Sequence, residues 1–293
     1  MSFKERLREE ESDEEISRTS AVILVGGEAN RMSNVEILAF LPKPFIQINN
    51  TTLCLKNFDH LRKVGIKNFY VVTQKESKAE EIKEYFERVA RNREESYNIQ
   101  ILTKQNLFEK KESEKINIFI IANKATIIQQ LVFLKQLVSD PFLVIAGDVY
   151  FDFEDEKELK RVIKNGLKML KEGKGVMFDV LLQKEKQLGR IDWGERYFKL
   201  NENKKIIPCS KEESLVFASI SIISFRFFES SNKVNASTLH DKQLLDFLAK
   251  EKMWCGDMMN VRRAVNVNYD EDLEKVKGIE KEKSKSTKNF IKE

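Results

Sequence analysis

The sequence is short of the residues from which several kinds of site are built. It holds two histidines, His60 and His240, and three cysteines, Cys54, Cys209 and Cys255, in 293 residues. Neither histidine stands in a motif with a serine or cysteine partner, so neither is assigned catalysis. The cysteines are odd in number, far apart and form no CxxC. That argues against a zinc site or a disulfide framework and for a reducing compartment, the cytoplasm by default. There are four prolines, and no linker divides the chain. No apolar run approaches the roughly 18 residues that a membrane span needs. The opening MSFKERLREEESDEEIS lacks the apolar core of an export signal. A charge excess is missing too: 51 basic residues face 47 acidic ones, for a net charge of +4. That balance does not point to a nucleic-acid partner, and mixed charges at helix-surface spacing read as solvated faces.

What is present suffices for one folded unit. Hydrophobic residues make up 41% and charged residues 33%, which fits a sizeable core under a soluble surface. Residues 1–19 carry seven acidic and four basic residues and read as a charged tail or frayed helix. Residues 278–293 are rich in Lys, Glu and Ser and read as a second charged tail. Between them, over 20–277, apolar strands alternate with helices. A strand is expected over 21–25, a helix over 53–64 ended by Gly65, a strand over 69–73 and a helix over 79–89. A strand over 99–102, a helix over 125–137 and a strand over 142–146 follow. This alternation predicts an α/β fold whose mostly parallel sheet is covered on both faces, a three-layer, Rossmann-like arrangement. Beyond about residue 152 the texture changes. A helix is expected over 156–171, a strand over 176–182, shorter β pieces near 190–200, 206–207 and 216–224, a helix near 244–249 and a strand near 264–267. One mixed domain results, its second half forming a substrate wall.

Two places stand out chemically. The first strand ends in Gly26-Gly27-Glu28-Ala29-Asn30-Arg31. Glycines at the carboxyl end of a parallel strand let backbone N–H groups approach a phosphate, and Arg31 adds a forked cation. Twelve residues later Lys43 stands between Pro42 and Pro44, which stiffen its backbone. Asp148 follows the strand over 142–146 on the same expected edge, behind Gly147, and is well placed to bind Mg²⁺. Asp152 reads as a helix cap or a supporting carboxylate.

The segments VILVGGEANRM and LPKPFIQIN together resemble the signature of sugar-1-phosphate nucleotidyltransferases, a Gly-Gly-x-Gly-x-Arg loop followed by Pro-Lys-Pro. The resemblance runs on through the helix from Leu53 and the segment from Gly65 to FLVIAGD, and more faintly through Leu188-Gly189-Arg190-Ile191 and Asn268 to Leu273. It implies the nucleotide-diphospho-sugar transferase type of fold, with a nucleotide half at about 20–150 and an acceptor half at about 151–277. It also implies a reaction of an NTP with a sugar-1-phosphate or related phosphate, giving an NDP-sugar and pyrophosphate. By resemblance, Gly26, Gly27, Ala29, Asn30, Arg31 and Lys43 bind the nucleotide, and Arg31 and Lys43 carry catalysis. Asp148 and Asn268 hold Mg²⁺, with Asp257 after Trp254 as a rival ligand, and Gly189 and Lys211 touch the acceptor. Members of the family often associate, so a homo-oligomer stays open.

The chain departs from the pattern in four places. Ala29 replaces the third loop glycine, and Ala122-Asn123-Lys124-Ala125-Thr126 lacks the glycine of Leu-Gly-Thr-Ala. Ser210-Lys211-Glu212 stands where Glu-Lys-Pro is expected, and Ala218-Ser219 replaces Ala-Gly. Two readings follow: an active Mg²⁺-dependent nucleotidyltransferase with an unusual acceptor, or a weak or inactive subunit that binds nucleotide or a partner. A dinucleotide-binding dehydrogenase is disfavoured, since the loop lacks GxGxxG and no acidic residue ends the next strand.

Overall fold

The computed structural model describes residues 11, 13–26, 42–74, 76–103, 105–153, 155–188 and 197–290. The strands of the first half are β1 (Ser20–Leu24), the hairpin pair β2 (Gln47–Ile48) and β3 (Thr51–Thr52), β4 (Asn68–Thr73), β5 (Tyr97–Leu102), β6 (Ile116–Ala122), β7 (Phe142–Ala146) and β8 (Val149–Asp152). The second half adds β9 (Met177–Leu182), β10 (Gln187–Leu188), β11 (Phe198–Leu200), β12 (Ile206–Pro208), β13 (Val216–Ile223), β14 (Trp254–Met258) and β15 (Arg263–Asn266). The helices are α1 (Leu53–Lys63), α2 (Ala79–Asn92), α3 (Ile127–Leu134), α4 (Lys157–Lys171), α5 (Phe227–Lys233), α6 (Lys242–Lys250) and α7 (Asp270–Phe290).

Eight strands form the central sheet in the order β14-β9-β13-β7-β1-β4-β6-β5. Its pairs are parallel except at β13, which runs antiparallel to β7 and β9. The mostly parallel mixed sheet expected from the alternation is therefore present. Successive side chains of a strand point to opposite faces, and the core divides accordingly. Ile23 and Val71 face α1, α2 and α4, where Phe58, Phe86 and Val162 are buried. Val22 and Val72 face α3, α5 and α6, where Leu131, Phe227 and Leu248 are buried. A smaller third core joins the β2–β3 hairpin, β8, β15 and α7 through Ile48, Tyr150, Val265 and Leu273.

Local chemistry explains the element that matters most to the site. Thr52 caps α1, its Oγ1 accepting from the Leu55 amide at 3.2 Å. Leu53, Cys54, Asn57, Phe58 and Leu61 then recur at helical spacing on the buried face.

The structure differs from expectation in three respects. The strand β6 was not expected: Ile116–Ala122 is apolar but for Asn117, and buried on both faces between β4 and β5. The short strands β8 and β14 were also unanticipated. Third, the described parts of the charged ends pack on the fold. Residues 13–18 are helical and Ile16 is buried, while Asp13 pairs with Lys160 and Lys164 and Glu15 with Lys171. At the other end α7 continues to Phe290. Its Ile279 is buried, and its Glu280 accepts from Lys56 at 2.9 Å and from Tyr150 at 2.5 Å. Charge counting suggested tails because paired helix faces and solvated tails share a composition. No described helix is long and apolar enough to cross a membrane.

Candidate active site

The sheet places the site. From β1 the chain winds outward to β4, β5 and β6, then returns to β7 on the other side of β1. The winding thus reverses between β1 and β7, and ligands of open α/β sheets bind beyond the carboxyl ends of strands at such a reversal. Leu24 is in register with Ala146. Gly26 and Asp148, each two residues further on, therefore leave the sheet at the same edge.

Lys43 reaches this edge from the segment before the β2–β3 hairpin. Pro42 and Pro44 set a tight turn, closed by the Phe45 amide donating to the Pro42 carbonyl at 2.9 Å. Phe45 anchors the turn edge-on against Tyr85, with ring centroids 5.0 Å apart. The Lys43 side chain is 9% exposed. Its Nζ donates to Asp148 Oδ2 at 2.7 Å and to Asn268 Oδ1 at 3.0 Å. These partners are 105 and 225 residues away in sequence, so only the fold brings the three together.

Each partner is held by its backbone. A Cβ at Gly147 would lie 2.9 Å from the Leu24 carbonyl oxygen and 3.0 Å from Pro44 Cβ. Glycine is needed there for the Pro-Lys-Pro turn to close on β1 and β7. Asn268 precedes α7. Its amide and that of Tyr269 both donate to Asp272 Oδ2 at 3.1 Å. Asp272 thereby supplies the return half of a capping box, and the Asn268 side chain is left to Lys43 instead of capping the helix.

The other expected site residues are placed as follows. Gly26 ends β1 beneath Gln74, whose Cγ would lie 3.2 Å from a Cβ added there. Gly27, Ala29, Asn30, Arg31 and Gly189 lie outside the described residues. Lys211 sits in an exposed turn, where its carbonyl accepts from Ser214 Oγ at 3.0 Å. No hydrogen bond or ion pair among the described residues joins it to Lys43. Asp257 is engaged elsewhere, with Arg161, Asn165 and Lys204 at 2.7–2.9 Å. Burial pushes its carboxyl up, but these donors outweigh burial and hold it below the usual range. Asp152 is fully buried and pairs with Arg263 and Lys283 rather than capping a helix. His60 packs against Phe153. Burial, partly opposed by Glu156, takes its pKa down to about 4, so it is neutral at physiological pH.

One residue escaped the sequence reading. Asn57 is 1% exposed, and its Nδ2 donates to the carbonyls of Val149 at 2.9 Å, Ala146 at 3.3 Å and Gly147 at 3.4 Å. The signal was a polar residue at position 57 of the 53–57–61 stripe, which is otherwise apolar.

The second half of the chain carries one unusual backbone conformation near this edge. Ser219 adopts φ 56°, in the left-handed region that favours glycine, where β13 shifts register against β9. It lies one residue beyond the last β13–β7 pair, Ile220 with Ile145, at the edge that carries Asp148. Glycine is expected at this place by resemblance, and Ser219 holds a conformation that glycine adopts without strain. A Cβ in this region costs roughly 1 kcal/mol. Ser219→Gly is expected to stabilise the fold by somewhat less, because glycine also loosens the unfolded chain. In a thermal melt this reads as a rise of roughly 1 °C; a fall in Tm would contradict the strain.

Among the described residues no group of three or more His, Cys, Asp or Glu side chains is placed to hold a metal. The oxygens at this edge are one carboxylate and one amide. They suit a hard cation that completes its shell with substrate oxygens and water, as Mg²⁺ does. A small cation, the Lys43 ammonium, is already held by both.

The sequence profile of the nucleotidyl transferase family matches residues 20–200, more than half of the chain. The chain belongs to this family. Solved structures show the fold that this nucleotidyl transferase shares with them at low sequence identity. A UDP-glucose pyrophosphorylase in complex with UDP-glucose superposes with a TM-score of 0.62 at 14% identity, over 90% of this chain and 99% of its own. A structure described as a glucose-1-phosphate thymidylyltransferase from Bacillus anthracis, in complex with sucrose, superposes with a TM-score of 0.58 at 16% identity. It covers 89% of this chain and 94% of its own. No curated protein matches the sequence.

Proposed function

We propose that this nucleotidyl transferase joins an NTP to a sugar-1-phosphate, or a related phosphorylated small molecule, and releases pyrophosphate. The observation that carries the reading is the meeting of Lys43 with Asp148 and Asn268 at the switch point of the sheet. In the reaction a non-bridging oxygen of the acceptor phosphate attacks the α-phosphorus. A new P–O bond forms, and the bond to the α–β bridging oxygen breaks, its electron pair leaving with pyrophosphate. No protein nucleophile is required. The protein's share is alignment and charge neutralisation.

Lys43 supplies a fixed positive charge where the leaving pyrophosphate gains negative charge. Arg31 and the backbone of Gly26, Gly27, Ala29 and Asn30 are assigned to the triphosphate by the sequence signature. Asp148 and Asn268 would hold Mg²⁺, which when bound supplies Lewis-acid neutralisation of phosphate oxygens. The names of the structural neighbours support a sugar-1-phosphate acceptor. Gly189 and Lys211 remain assigned to the acceptor by resemblance alone. The other reading, a catalytically weak binding subunit, is less well supported because Lys43, Asp148 and Asn268 are assembled.

The test is pyrophosphate release from each common NTP against a panel of sugar, inositol and choline phosphates, with and without Mg²⁺. Turnover with at least one pair, lost on chelation, is expected. Absence of release from every pair, together with weak nucleotide binding by calorimetry, would overturn the enzyme reading.

A further inference from the structure

We propose that Asn57 is a positioning residue for Asp148, holding the Gly147-Asp148 turn in the one backbone shape that presents the carboxylate beside Asn268. The inference rests on reading Asp148 as a metal-bearing carboxylate and adds to that reading the residue that aims it.

Four consecutive carbonyls surround the Asp148 side chain along the backbone, those of Ala146, Gly147, Asp148 and Val149. Asn57 Nδ2 serves three of them, at 3.3, 3.4 and 2.9 Å. The fourth, that of Asp148, accepts from the Val267 amide at 3.0 Å. The turn is closed from the other direction by the Gly147 amide, which donates to the Leu24 carbonyl at 2.9 Å. Three carbonyl oxygens converging on one amide fix its orientation, because only the NH₂ end is compatible with them. The donor itself cannot drift. Its helix is held one residue earlier by Lys56, which bonds Glu280 of α7 at 2.9 Å, and Asn57 is enclosed among buried neighbours.

The arrangement costs more than an apolar residue would. Asn57 places a polar amide on a helix stripe where Leu53 and Leu61 are fully buried. The amide stays although its Oδ1 has no hydrogen-bond partner among the described residues, which adds to that cost, while its NH₂ end defines geometry that packing alone would leave loose. Here that geometry belongs to Asp148, which Asn57 never touches through its carboxylate. Partners behind a metal-bearing group of this kind typically change metal affinity or activity by about 10–100-fold when removed.

The experiment compares wild type, Asn57→Ala, Asn57→Ser and Leu248→Ala. Leu248 is a buried residue of α6, on the opposite face of the sheet, and Leu248→Ala reports a packing loss unrelated to the turn. Mn²⁺ binding in the presence of the preferred NTP is followed by the electron paramagnetic resonance of free Mn²⁺. Melting temperature and pyrophosphate release are measured alongside. Asn57→Ala is expected to weaken Mn²⁺ binding about 10-fold or more and to lower kcat by about 10–100-fold. KM for the NTP should change far less, and Leu248→Ala should leave Mn²⁺ affinity unchanged. Asn57→Ser keeps one donor, is expected to fall between, and serves if Asn57→Ala does not fold. If folded Asn57 variants bind Mn²⁺ as wild type does, or differ from it no more than Leu248→Ala, the positioning role is refuted while the active-site reading stands. If wild type itself neither binds Mn²⁺ with nucleotide nor releases pyrophosphate, the active-site reading fails and the positioning role with it.

Discussion

Replacing Lys43 by alanine is expected to lower kcat for pyrophosphate release by about 10²–10³-fold, the order observed when one preorganised electrostatic stabiliser is removed. The size follows from where the ammonium sits. Its stem is buried and its Nζ lies between two oxygens, so its charge is fixed before substrate arrives and costs no reorganisation during the reaction. Folding should suffer little. Asp148 keeps 27% of its side chain exposed, so the carboxylate freed by the substitution can be hydrated. The loss should therefore appear in turnover and not in the folded fraction, which circular dichroism and a thermal melt can verify. Lys43→Arg should not restore the rate, because a planar fork cannot occupy the compact place of an ammonium held by one carboxylate and one amide oxygen. A Lys43→Ala enzyme with kcat within threefold of wild type would remove Lys43 from the mechanism.

The second large effect is expected at Asp148. Asp148→Asn preserves shape and an oxygen for Lys43, but it leaves two neutral amides where a carboxylate and an amide stood. A divalent ion held mainly by hard, charged oxygen then loses its strongest protein contact. The expected result is a kcat lowered by roughly 10²–10³-fold and a Mg²⁺ requirement shifted to higher concentration. The two variants separate by salt and metal: excess Mg²⁺ should partly recover Asp148→Asn and not Lys43→Ala. Turnover and Mg²⁺ dependence both unchanged in Asp148→Asn would place the metal elsewhere.

Much of this was legible in the sequence, for reasons that differ residue by residue. Lys43 between its prolines and the Gly147-Asp148 pair were visible because glycine and proline mark backbone shapes locally, while the loop beyond Gly26 lies outside the described residues. Gly147 shows the limit of local reading. Beside Asp148 a glycine suggests space for a ligand, and in the fold it leaves room for Pro44 and the Leu24 carbonyl. Asn268 entered only through resemblance, since nothing local announces a contact across 225 positions. Asn57 looked like one polar residue in an amphipathic helix. Its burial depends on β7 and β8 running beneath it, which spacing alone does not reveal. The strand β6 was missed because burial on both faces removes the alternation by which strands are recognised. The edge strand β5, which keeps some alternation, was found in its place.

The distance in sequence between Lys43 and Asn268 also bears on how the protein comes into being. Chains are made from the N-terminus, at about 5–20 residues per second. The first half of the sheet can gather while the rest is still being synthesised, and with it the Lys43–Asp148 pair. The third corner waits for β15 and the start of α7, the last strand and last helix of the fold. A growing or prematurely ended chain therefore holds two of the three side chains that meet at this edge. If the corners act together as proposed, capacity for turnover arrives only when the chain is nearly complete, and fragments ending before residue 268 should not consume nucleotide.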